Sequence, residues 1–147
     1  MGTPTSHSVN GLELFNGATL KLEGNSYLEA QGKNSSGSYS GSAIVSENDI
    51  IVEDNATINA NAYDVAISTW GNVKATGGKI IAKSSRSNGI FADQNIEIKN
   101  VEAEVEGYYP ALYGNRGVSI ENSKVTAKAD DVAIYSPDKV IITNSII

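Results

Sequence analysis

Cysteine is absent from the 147 residues, so disulfides and thiolate metal sites are excluded outright. No run of apolar residues is long enough to span a bilayer, and no signal-peptide h-region is present, so membrane insertion is not expected. Leucine-rich helical patterning is missing as well. Positive charge is scarce: Arg86 and Arg116 are the only arginines, and the formal charge is −6. Nucleic acid needs a basic stripe, and this chain has none. An acidic polysaccharide would have to be held through cations or a local basic patch.

What the chain does have is repetition. Ala43-Ile44, Ala66-Ile67, Gly89-Ile90, Ala111-Leu112 and Ala133-Ile134 follow one another at intervals of 23, 23, 22 and 22 residues. Six residues after each branched residue stands another: Ile50, Val73, Ile96, Val118 and Val140. Two further on come Val52, Ala75, Ile98, Ile120 and Ile142. A second alternation follows in Ile58/Ala60, Ile80/Ala82, Ala103/Val105 and Val125/Ala127. An earlier copy is read in Leu14, Leu20, Leu22, Leu28 and Ala30, followed by the insertion GKNSSGSYSGS.

Each unit of about 22–23 residues thus holds three short strands of period two, separated by turns. That is one coil of an all-β, right-handed parallel β-helix, a β-solenoid. A left-handed hexapeptide helix would be more regular, and a leucine-rich repeat would carry a helical return. The expected organisation is a leader or linker over 1–12 and a β-helix of between five and six coils over 13–147. His7 falls in the polar opening and is set aside.

Equal positions in successive coils form columns about 4.8 Å apart per step. One column holds Gly77, Asn100, Asn122 and Asn144, residue types that accept a left-handed backbone, with an amide ladder expected among the asparagines. Another alternates in sign, Lys79–Glu102–Lys124 and, four residues on, Lys83–Glu106–Lys128. Opposite charges one above another suppress register slips and give a solvated face. The last coil, with Val140, Ile142 and Ile147 at core positions, never closes. Excision from a longer surface protein is the expectation, with an end-to-end homodimer through the open coil as its consequence.

The frame carried by NGIFADQNIEIKNVEAEV and PALYGNRGVSIENSKVTAKADDVAIYS resembles the parallel β-helix repeats of bacterial surface and secreted proteins. It looks most like the pectate-lyase-shaped carbohydrate-binding β-helix family. The likeness covers roughly residues 13–147. It implies a secreted or cell-surface location, a plant-type polysaccharide or cell-surface glycan as partner, and calcium as a possible cofactor. The Asp-rich turns frequent in those relatives are here reduced to Asp64 and Asp130-Asp131.

Catalysis is not expected. A lyase needs a base beside a bound uronate and a hydrolase needs clustered carboxylates. Arg86 and Arg116 lie at different corners of the coil. Asp130-Asp131 faces Tyr108-Tyr109-Pro110 in the neighbouring coil rather than a second acid. Asp64 and Asp131 are three coils apart, about 14 Å, too far to share an ion. Asp49, Asn72 and Asn95 form a column near Glu47, which reads as a polar turn ladder rather than a metal site. Outward threonine rows of the kind ice binding requires are missing.

Aromatic residues are the stronger lead. Phe91, Tyr113 and Tyr135 directly follow the repeat dipeptides, one per coil, with Phe15 at the corresponding place in the first. Tyr108 and Tyr109 occupy an adjacent turn, and Trp70 the turn beyond its own first strand. Such a strip offers ring faces and hydroxyls to sugars. The bland alternative is that stacked rings only stiffen the sheet. The expected role is therefore a non-catalytic carbohydrate-binding or adhesion module. A structural stalk of a larger bacterial surface protein is the alternative, with a polysaccharide lyase a distant third.

Overall fold

The structure, a computed structural model, describes residues 10–33 and 41–147. His7, most of the 1–12 segment and most of the insertion lie outside the described residues. The chain forms a parallel β-solenoid with two sheets and, among the described residues, no helix. A six-stranded sheet stacks Leu12–Leu14, Ile44–Ser46, Ile67–Thr69, Ile90–Ala92, Leu112–Gly114 and Ile134–Tyr135 in that order. The second sheet is nine-stranded and carries the remaining two strands of each coil. These are Leu20–Leu22 with Tyr27–Gly32, Ile50–Ala62, Val73–Ser84, Asn95–Lys99 with Glu102–Gly107, Gly117–Glu121 with Lys124–Ala129, and finally Val140–Thr143.

The register follows the sequence repeat. Ile44, Ile67, Ile90, Leu112 and Ile134 pair in a single column. Ile50, Val73, Ile96, Val118 and Val140 form the next. Period-two alternation sends each of these inward, and the first four of each column are buried. Fully burying a side chain of this size stabilises by about 1.5–3 kcal/mol, so the stacked branched residues are the main source of cohesion. In two coils the second and third strands run on as one bent strand, Ile50–Ala62 and Val73–Ser84, where three separate strands were expected.

The bend sits on the left-handed column. Gly24, Asp54, Gly77, Asn100, Asn122 and Asn144 have φ of 65, 59, 92, 55, 47 and 47°. Each turns the chain by a conformation that costs other L-residues roughly 1–2 kcal/mol. The first two coils carry one residue more in this turn, and pairing with the next coil shifts register between Asp54 and Thr57.

The expected amide ladder is built elsewhere. Asn122 Nδ2 donates to its neighbour Glu121 rather than along the Asn100–Asn144 column. The ladder runs instead through Asp49, Asn72 and Asn95. Asn72 donates its backbone N–H (2.8 Å) and Nδ2 (3.0 Å) to Asp49 Oδ1, and Asn95 repeats this toward Asn72 Oδ1 at 3.0 and 3.2 Å.

The first coil departs from the frame read in the sequence. Leu12, not Leu14, pairs with Ile44, while Leu20 pairs with Ile50. Two extra residues separate its first and second strands. Glu47 of the next coil holds this longer turn through the backbone N–H groups of Asn16 (2.7 Å) and Gly17 (3.4 Å).

Candidate functional site

The six-stranded sheet has one outward column, Glu13, Val45, Ser68, Phe91, Tyr113 and Tyr135. Phe15 is not part of it. The two-residue shift of the first coil puts Glu13 there and leaves Phe15 beyond the strand, half exposed. In the other three coils the alternation points rings outward as the sequence implies. Phe91 and Tyr113 stack with centroids 5.2 Å apart and planes 25° from parallel. Tyr113 and Tyr135 follow at 5.2 Å and 40°.

This geometry limits what the row can offer. Rings so near and so nearly parallel overlap face to face, because side-by-side rings need more room. The faces inside the row cover one another, and solvent meets ring edges, the two tyrosine hydroxyls and the end ring Tyr135, which is 40% exposed. Exposed ring faces lie elsewhere: Trp70 is 61% exposed, Tyr108 49% and Tyr109 53%. Tyr108 and Tyr109 pack edge to face at 5.4 Å and 86°. Among the described residues no ring contact links Trp70, or this pair, to the row. The six aromatic residues therefore fall into a row of three, a pair and a single ring.

Beside the pair lies a concavity of about 240 Å³ bounded by Tyr108, Glu106, Lys128, Asp130, Ser84 and Ser85. Its charges continue the alternating face. Lys79 meets Glu102 at 3.3 Å. Lys83 prefers Glu104 (2.7 Å) to its direct register partner Glu106 (3.4 Å). The Lys83 hydrogen bond holds the Glu104 carboxyl below its ordinary range. Arg86 is tied to Tyr63 by a 3.0 Å hydrogen bond and by its position over the ring. Arg116 donates its backbone N–H to Gln94, at another corner.

Burial alone would raise the Asp49 carboxyl. The Asn72 backbone and amide donors outweigh it, and with Lys74 3.4 Å away they hold Asp49 below its ordinary value. This carboxylate is occupied by the ladder. Among the described residues no three carboxylates or imidazoles converge on a common point.

A further concavity, about 330 Å³, lies on a face that the sequence repeat does not mark. It is the outer surface of the second strands, around Lys74, Glu97, Lys99 and Ser119. No residue type recurs there from coil to coil, so no column signal marked it. Comparison with protein-family models, with curated proteins and with solved structures finds no match to this chain.

Proposed function

We propose that the chain is a non-catalytic extracellular module that binds carbohydrate, in the manner of the carbohydrate-binding β-helix proteins its repeat resembles. The observation that carries this reading is the row Phe91–Tyr113–Tyr135, three rings in consecutive coils held 5.2 Å apart on an outward face. A row parallel to the solenoid axis suits a linear polymer. The Tyr113 and Tyr135 hydroxyls stand in position to donate and accept along it. Tyr108, Tyr109 and Trp70 add exposed ring faces against which sugar rings stack.

A structural stalk is the second reading, and one observation favours it. The faces within the row are spent on each other, as they would be if the rings served to stiffen the sheet. Pull-down on insoluble polysaccharides with and without calcium, together with a glycan array, separates the two. The binding module is retained on one polysaccharide class and loses that retention in Tyr113→Ala and Tyr135→Ala variants that still fold. A stalk is retained on none, in any variant.

A further inference from the structure

The outer surface of the second strands is shaped as a trough. Two rows of side chains project there, set two residues apart along each strand and hence about 6.6 Å apart. One row runs Ile51, Lys74, Glu97, Ser119, Ile141, and the other Glu53, Thr76, Lys99, Glu121, Thr143. The intervening residues, such as Ala75, Ile98 and Ile120, point into the core and leave backbone as the floor. The trough crosses five coils, about 19 Å at the solenoid spacing. Its volume of about 330 Å³ is that of a real binding cleft.

The lining chemistry narrows the occupant. Peptide groups of the floor are used in the parallel ladder, so an extended peptide finds no edge to pair with. Three carboxylates face two ammonium groups, and both lysines are already engaged. Lys74 lies 3.4 Å from Asp49, and Lys99 3.2 Å from Glu121. Lys21, at the near end of the row, pairs with Glu53 at 3.2 Å, so a polyanion finds each ammonium group already matched by a carboxylate. Ile51 and Ile141 put apolar surface at the two ends of the trough, but the charged and polar side chains between them interrupt it, so an apolar ligand finds no continuous wall. What remains is a chain whose groups both donate and accept without charge, which is the property of hydroxyls. Glu97 sits at the centre, register partner of Lys74 on one side and Ser119 on the other, with no ion-pair partner among the described residues.

We propose that this trough binds a neutral, linear polysaccharide lying along the solenoid axis. Glu97 accepts from neighbouring sugar hydroxyls, Lys74 and Lys99 donate, and Ser119, Thr76 and Thr143 do both. The inference rests on the carbohydrate reading but uses none of the aromatic residues.

The test is a titration of the ¹⁵N-labelled chain with cellohexaose, xylohexaose and mannohexaose, and with oligogalacturonate as the charged comparison. Amide shifts are expected to cluster at Lys74, Glu97 and Ser119 with one of the neutral hexasaccharides. The affinity should resist added salt and fall on the order of tenfold in Glu97→Gln. Ser119→Trp, which fills the trough from an outward position, should abolish it, while Thr126→Ala, an exposed change on the third strands, leaves it unchanged. Shifts confined to Tyr113 and Tyr135 overturn the trough and leave the aromatic reading standing. A response to oligogalacturonate alone overturns the ligand class. No response to any of the four overturns both readings.

Discussion

Gly89 lacks a side chain where Val105 has one too many: a β-carbon on Gly89 would overlap the Val105 γ-methyl. The neighbouring coils hold the same space with alanine on both sides, Ala66 against Ala82 and Ala111 against Ala127. One coil has moved volume across the core, giving up the alanine methyl at Gly89 and gaining two γ-methyls at Val105. Gly89→Ala is expected to cost about 1–3 kcal/mol, since the backbone oxygen of Glu106 would also lie 2.8 Å from the new carbon. Combined with Val105→Ala the loss should be less than the sum of the two, by roughly 0.5–3 kcal/mol. Urea unfolding of the two single variants and the double variant measures it, and strict additivity would show that the positions do not share space.

The Asp49–Asn72–Asn95 ladder makes a pH prediction. Asp49 sits below its ordinary value of 3.8 in the folded chain. Its contribution to stability is therefore complete above the unfolded value and is lost as pH falls through the lower folded one. Asp49→Asn keeps the oxygen that accepts from Asn72 and removes both the titration and the Lys74 ion pair. At neutral pH the variant should be less stable by about 0.2–1 kcal/mol, as expected for a half-exposed pair. As pH falls below 3.8 and through the lower folded value, the difference should narrow and then close. Unfolding curves at the two pH values decide it, and a gap that widens in acid would refute the assignment.

At the bend between second and third strands, Asn122 has φ of 47°. Replacement by alanine should cost roughly 1–2 kcal/mol. Glycine, which already fills this column at Gly24 and Gly77, should be tolerated within about 0.5 kcal/mol. Equal losses for both substitutions would mean that the asparagine side chain, rather than the backbone, is what matters. The thermal midpoints of the two variants make the comparison.

The parts of this molecule that were legible in the sequence are those written in columns. Ile44–Ile67–Ile90 and Asn100–Asn122–Asn144 repeat one physical demand, a branched core residue or a left-handed backbone, at a fixed interval. The alternating lysines and glutamates do the same with charge, and register follows. The first coil lies two residues from the frame its sequence suggests because Leu12 and Leu14 are chemically alike. Only the longer turn, pinned by Glu47, shows which of them is paired with Ile44. The ladder was assigned to both asparagine columns on composition, yet amides meet only where the corner geometry points them at each other. The trough stayed hidden for the opposite reason: Ile51, Lys74, Glu97, Ser119 and Ile141 share a face, but no residue type passes from one coil to the next.

Tyr113 lies between two rings, so its substitutions separate stiffening from recognition. Tyr113→Leu removes both stacks, and a double-mutant cycle with Phe91→Leu should give a coupling of about 0.5–1.5 kcal/mol whichever role the row serves. Tyr113→Phe is the informative change. It keeps the 5.2 Å stacks on both sides and deletes only the outward hydroxyl. Stability should be unaltered within about 0.5 kcal/mol, as for a surface polar group. If the row contacts a glycan through ring edges and hydroxyls, retention on the bound polysaccharide should fall several-fold in this variant, by about one hydrogen bond's net worth. If stacking is the row's whole purpose, Tyr113→Phe is silent in both measurements while Tyr113→Leu unfolds at lower urea. Both faces of Tyr113 are committed to neighbours, so a ligand contact by this ring must be made at its rim. A phenylalanine that bound as well as tyrosine would leave the row as a brace and shift the search for the glycan to Glu97.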